Sequence, residues 1–235
     1  MQRESVRLSI KNSTCTFLEG NLVIPDNPIG TIVFVHGSGS SKSSHRNQLV
    51  SNKLNENNIA TLLFDLLSKE EQDSDSQLEN ANLKIPGAIL NKFNITLLSK
   101  RLSMATEWII NHPITGNLQI GYFASSTGGA AALIAATKYH IKTIVIRSGR
   151  TDLLDNDLLD KIVSPCLFIV GSKERSLVDI SKRTIKKLRN AEEKEFSIIP
   201  NASHLFEEEG LMKQVAEVAT RWITRQFKEY PQYHI

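Results

Sequence analysis

Leu118-Gln-Ile-Gly-Tyr-Phe-Ala-Ser-Ser-Thr-Gly-Gly-Ala-Ala-Ala-Leu133 joins a short apolar run to a small-residue turn carrying two serines, then passes at once into an alanine-rich helical stretch. Those are the parts of a nucleophile elbow, in which a strained strand-to-helix turn lifts a serine hydroxyl clear of a sheet. The residues two before and two after that serine must be small, so that strand and helix can pass closely. This requirement separates the two serines. Ser126 is flanked by Ala124 and Gly128, whereas Ser125 would be flanked by Phe123 and Thr127. Ser126 is therefore the candidate nucleophile, with Ala124 standing where the usual pattern has a glycine. Taken alone, the stretch also fits a tight turn with a capping serine.

Outward from the elbow, strand and helix signals alternate. Thr31-Ile-Val-Phe-Val-His36, Ala60-Thr-Leu-Leu-Phe-Asp65, Lys142-Thr-Ile-Val-Ile146 and Cys166-Leu-Phe-Ile-Val-Gly171 are continuous apolar runs, the pattern of strands covered on both faces, and Glu195–Ile199 adds a later strand. Helices are expected near Asn47–Asn57, Asn94–Asn111, Leu154–Ile162 and Val178–Asn190. A last amphipathic helix carries Leu211, Val215, Val218, Trp222 and Phe227. Ser5–Ile10 and Cys15–Ile24 alternate around the turn-prone Lys11–Thr14 and predict an antiparallel hairpin. The segment 68–92, acidic at its start and broken by Pro86 and Gly87, reads as lid-like or exposed. This alternation predicts a single α/β domain over 1–235, with a mainly parallel central sheet, helices on both faces and an N-terminal antiparallel hairpin. In such sheets, sites form beyond the carboxyl ends of the strands.

Bulk properties narrow the function. A chain of 235 residues can bury a substantial core without staples. A net charge of +3 with 23% charged residues gives no support for nucleic-acid binding. The basic run Lys182–Arg189 reads as a solvated helix face. Cys15 and Cys166 are far apart and suggest buried thiols in a reducing compartment, so cytoplasm is the expected location. The N-terminus lacks a signal-peptide core, and no uncharged run reaches the roughly 18 residues of a membrane span.

A serine nucleophile needs a general base and a carboxylate to orient it. Of six histidines, His204 follows a late strand in the loop Pro200-Asn-Ala-Ser-His-Leu-Phe206 ahead of the final helix, where a base would close a set in the order Ser, acid, His. His36 reads instead as a loop anchor, His112 and His140 as helix-end residues, His45 as a helix opener and His234 as tail. For the acid, Glu174 in Val170-Gly-Ser-Lys-Glu-Arg175 lies just past a buried strand, and Asp152 one unit earlier is the competitor. Glu207 and Glu208 read as the acidic start of the final helix. The developing oxyanion requires donors worth about 3 kcal/mol each. Thr127 N–H is one candidate; Ser38 N–H, in the loop after the first central strand, is the other. That loop, Gly37-Ser-Gly-Ser-Ser-Lys-Ser43, lacks the second glycine that a phosphate-cradling Walker pattern has before Lys42.

Phe-Val-His-Gly-Ser-Gly-Ser-Ser, Thr-Leu-Leu-Phe-Asp-Leu-Leu, Gly-Tyr-Phe-Ala-Ser-Ser-Thr-Gly-Gly, Ile-Val-Gly-Ser-Lys-Glu and Asn-Ala-Ser-His-Leu-Phe-Glu-Glu follow one another in this order. Through them the chain resembles the dienelactone-hydrolase-like branch of the α/β-hydrolases, from about residue 18 onward. It departs at two points: the name-giving enzymes use cysteine where this chain has Ser126, and glutamate stands where aspartate is commoner. The resemblance implies an α/β-hydrolase fold and a serine hydrolase acting on a small-molecule ester through an acyl-enzyme. In that reading Ser126, Glu174 and His204 form a triad, with Ser38 and Thr127 at the oxyanion hole. No metal or organic cofactor is implied. A thioesterase or peptidase with the same triad, or a catalytically silent binding module on this fold, stays open, as does a homodimer.

Overall fold

A computed structural model describes residues 1–10, 16–81 and 89–229. One eight-stranded sheet runs through it in the order β1-β2-β4-β3-β5-β6-β7-β8. Its strands are β1 (Gln2–Ser9), β2 (Phe17–Ile24), β3 (Gly30–Val35), β4 (Ile59–Phe64), β5 (Ile120–Ser125), β6 (Thr143–Arg147), β7 (Cys166–Gly171) and β8 (Lys194–Ile199). β1 pairs with β2, and β2 with β4, in antiparallel fashion; from β4 to β8 every pairing is parallel. The expected N-terminal hairpin and mainly parallel sheet are both present. The hairpin's turn, with Cys15, lies outside the described residues.

The helices are α1 (His45–Glu56), α2 (Lys69–Asn80), α3 (Ile95–Asn111), α4 (Thr127–Ala136), α5 (Asn156–Leu159), α6 (Arg175–Lys187) and α7 (Leu211–Glu229). Successive residues of a strand face opposite sides of the sheet, so the continuous apolar runs serve two cores at once. Ile32, Phe34, Phe123, Val145 and Leu167 pack under α1 and α7. Val33, Val35, Tyr122, Ala124, Ile146 and Phe168 pack under α3 and α4. β5, at the centre, is buried along its whole length, which places the turn at its end over the middle of the sheet.

Two local outcomes differ in detail from the sequence expectation. In 68–92, the acidic start is the regular helix α2. Ser68 Oγ accepts from Glu71 N–H (3.3 Å) and Glu71 Oε2 accepts from Ser68 N–H (2.8 Å), a capping box that the Ser-x-x-Glu spacing encodes. Arg101 on α3 donates to Glu71 (2.6 Å), tying the two helices together; residues 82–88 lie outside the described part. Within 154–162 only Asn156–Leu159 coils as a helix, because Asp155, Asp157 and Asp160 favour caps and turns over helix interiors. The basic face of α6 is exposed at Lys182, Arg183, Lys186 and Lys187, as its spacing predicts. Cys166 is buried in β7, and burial pushes its thiol up to about 12.

Candidate active site

The two serines of the elbow take different roles. Ser125 ends β5 and is buried, whereas Ser126 stands half-buried on the turn with φ 50° and ψ −125°. A positive φ is costly for a residue with a Cβ and persists only where the surroundings enforce it. Here the enforcement comes from both sides. Ser126 N–H donates to Arg147 O on β6 (3.2 Å), while Ser126 O accepts from Gly129 N–H (3.0 Å) and Arg150 N–H (2.9 Å). The spacing rule for small flanking residues has a direct cause at Gly128. A Cβ there would lie 2.3 Å from Val35 O and 2.8 Å from His36 O, so α4 can leave the elbow only if this residue has no side chain. Gly37 allows the facing loop to close in: a Cβ there would meet Ser126 Cβ at 2.7 Å.

That loop brings Ser38 to the elbow, where Ser38 N–H donates to Thr127 Oγ1 (3.0 Å). Thr127 is the first residue of α4, so its own N–H has no acceptor within the helix. The two expected oxyanion donors thus belong to residues in contact with each other, and the Ser38 N–H is engaged by the Thr127 hydroxyl.

His204 and Glu174 are brought together by two loops knitted to each other. Lys173 N–H donates to Ala202 O (3.1 Å), and Asn201 N–H donates to Ser172 Oγ (2.9 Å). Across this seam Glu174 Oε2 lies 4.0 Å from His204 Nδ1, with the side chains 32% and 35% exposed. Among the described residues no hydrogen bond joins Ser126 Oγ to His204; such contacts often tighten only around a substrate. Burial lowers the pKa of His204; Glu174 opposes that shift, and Arg147, Arg150 and Arg46 add to it. Asp152, the competing acid, is held by Arg150 through two bonds of 2.8 Å, and this pairing lowers its pKa.

One residue with a bearing on the site was misread from the sequence. Glu208 does not begin the final helix, which starts at Leu211. Its carboxylate accepts from Ser203 N–H (3.0 and 3.1 Å), Ser203 Oγ (3.1 Å) and Lys173 Nζ (2.8 Å), holding the pKa of Glu208 down at about 2. It therefore clasps the His204 loop to the Glu174 loop. A serine and an acid five positions apart carry no such signal by themselves, because the bond depends on Phe206 turning at φ 55° between them.

Three other residues weighed for the site are committed to structure. His36 donates from Nδ1 to Gly37 O (2.9 Å) and accepts at Nε2 from Leu66 N–H (3.0 Å), which anchors the loop with a neutral ring; burial lowers its pKa. His112 sits at the end of α3, where its Nδ1 accepts from Ile114 and Thr115 N–H (both 3.4 Å) and its Nε2 lies 3.4 Å from Glu4 Oε2. Lys42 Nζ is bound by Glu19 (2.8 Å) and Asp65 (3.0 Å), which leaves a phosphate reading of its loop without its cation. Among the described residues no cluster could hold a metal ion, and no helix is long and apolar enough to cross a membrane.

No known protein-family profile matches the chain. It is similar to a solved dienelactone hydrolase from Anabaena variabilis, with 39% identity, a TM-score of 0.84, and coverage of 95% of this chain and 97% of that one. An esterase domain from a Rhodothermus marinus protein (17% identity, TM-score 0.69, 95% and 99% coverage) shares the fold. So does a lidless α/β serine hydrolase from Xanthomonas campestris (13%, 0.71, 98% and 97%). Curated proteins from two strains of Mycobacterium tuberculosis, provisionally named phosphoribosyl transferases, are 38% identical over 205 residues, 86% of this chain. The chain spans 42% of their length. With a relative of this identity aligned over nearly its whole length, and with the sheet order and elbow described above, the chain belongs to the dienelactone-hydrolase-like branch of the α/β-hydrolases.

Proposed function

We propose that the chain is a serine hydrolase cleaving carboxylic esters of small molecules. Ser126 Oγ attacks the ester carbonyl while His204 takes its proton and passes it to the departing alcohol, and Glu174 orients the imidazole. The N–H groups of Thr127 and Ser38 hold the oxyanion, with Ser38 turning from the Thr127 hydroxyl to the substrate oxygen. Water, activated by the same base, then releases the acid and restores Ser126.

The observation that carries this reading is the backbone of Ser126, held at φ 50° on the turn between β5 and α4. A serine that merely capped α4 would need no such strain, and the Ser126 side chain makes no cap bond. A cavity of about 310 Å³ between the Gly37–Ser41 loop and α2, lined by Ser38, Leu67 and Leu98 among others, adjoins the Ser38 side of the elbow, and Ser126 and His204 are not in its lining. The transferase name of the mycobacterial relatives belongs to proteins more than twice as long, and no step of the reading draws on it. Labelling with a fluorophosphonate probe tests the proposal. The adduct is expected on Ser126, to vanish in Ser126→Ala and to persist in Ser125→Ala; an adduct mapped to Ser125, or none on the folded protein, overturns it.

A further inference from the structure

Arg147 ends β6 and is only 5% exposed, yet among the described residues no carboxylate lies within ion-pair distance of it. Its Nε is occluded without a partner, its Nη1 meets only the thioether of Met212 (3.3 Å), and its guanidinium lies 5.9 Å from the centre of the Phe206 ring. A guanidinium stays charged in proteins, and a buried charge without a counter-charge is costly. The fold treats a comparable group differently: Arg101, 8% exposed, is neutralised by Glu71 at 2.6 Å.

A second cation adds to the imbalance. Arg46 lies in the first turn of α1, and its Nε is also occluded and unpartnered; its contact with Glu207 is long, at 3.5 Å. Glu207 adjoins the Phe206 ring over which Arg147 lies, so the two guanidiniums approach the same short segment from different elements. The first turn of α1 holds no acidic residue, and Ser44 makes no cap bond, so the positive end of the helix is uncompensated there as well. Burial and the neighbouring Arg46 lower Arg147 to about 10, as expected where two cations share a site whose nearest carboxylate, Glu207, is largely exposed and reaches only Arg46. The place is next to the elbow, since Arg147 O takes the Ser126 N–H.

We infer that Arg147 and Arg46 form an oxyanion-binding site beside the elbow, built for a phosphate group carried on the substrate or bound as free inorganic phosphate. Two guanidiniums match a phosphate dianion in charge and offer forked donors to its oxygens, whereas a single carboxylate would neutralise only one of them. As a statement about substrate class this rests on the hydrolase reading; as a binding site it does not.

The test is phosphate binding by the full chain, read as thermal stabilisation and by calorimetry, with chloride and acetate controls at matched ionic strength. The expected result is a saturable phosphate-dependent rise in Tm that is lost in Arg147→Met. In phosphate-free buffer Arg147→Met is expected to melt above the wild type, because a buried unpaired charge has been replaced by an apolar side chain of similar length. Should that variant fail to fold, Arg46→Met must weaken phosphate binding at least tenfold. Absence of saturable binding, equal responses to acetate and phosphate, or unchanged binding in the arginine variants overturns the inference. Ser126→Ala must still bind phosphate, which separates failure of this site from failure of the nucleophile assignment, read by the fluorophosphonate. In ester hydrolysis, a phosphate-induced rise in KM at constant kcat assigns the site to a substrate phosphate. A change in kcat assigns it to the free ion.

Discussion

Neutralising the two rival carboxylates separates their roles, and the geometry sets the size of the difference. Glu174 Oε2 lies 4.0 Å from His204 Nδ1, and both groups are about one-third exposed. At that separation a unit charge pair is worth about 1 kcal/mol in water and about 4 kcal/mol at the effective dielectric typical of protein surfaces. In the proposed triad this charge supports the imidazolium in the transition state, so Glu174→Gln is expected to lower kcat/KM by roughly 5-fold to 10³-fold. That range lies below the roughly 10⁴-fold loss for a fully buried, hydrogen-bonded triad acid. Asp152 spends both oxygens on Arg150 at 2.8 Å, so Asp152→Asn is expected to cost less than about 3-fold, of the order of a lost surface pair. The assay is hydrolysis of p-nitrophenyl acetate by the two variants side by side, with Tm as a folding control. A larger loss in Asp152→Asn than in Glu174→Gln refutes the reasoning and moves the acid to the loop after β6.

Further outcomes follow from the same contacts. The pKa of His204 is depressed by burial, and Arg147, Arg150 and Arg46 together reinforce this against Glu174, so the reactive neutral imidazole persists to lower pH. The acid limb of kcat/KM is expected below the ordinary 6.5 of histidine, and Arg147→Met should move it upward; a limb above 6.5 in the wild type contradicts this. Gly128→Ala forces a methyl group against Val35 O, an overpacking cost of about 1–3 kcal/mol, and should lower Tm by about 2–12 °C along with activity. The pKa of Glu208 is lower in the folded chain than its unfolded 4.5, so its contribution to stability is present above 4.5 and lost as pH falls toward about 2. Over that window, thermal melts should show Glu208→Gln losing less stability than the wild type; parallel losses would deny the clasp its role.

How much of this was legible in the sequence depends on how local each signal is. Apolar runs and helical periodicity report which faces are buried, and burial on two faces of a strand suffices to predict the parallel sheet, its flanking helices and the β5–α4 elbow. That the strained turn falls on Ser126 and not Ser125 was also readable, because it follows from side-chain size two residues to either side; a Cβ at Gly128 would meet Val35 O, the clash that the rule anticipates. The Ser68–Glu71 capping box was present in the sequence too, but an acidic segment with one apolar side chain per turn or fewer carries little periodicity to announce α2.

Tertiary structure decided whatever depends on groups distant in the chain. Only the seam between the β7 and β8 loops brings Glu174 to His204, and only the bidentate hold of Arg150 withdraws Asp152. The Glu208 clasp and the isolation of Arg147 were likewise illegible. Whether a carboxylate or a guanidinium finds its opposite charge is set by which loops the sheet order places side by side, while periodicity and spacing report only on neighbours within one element.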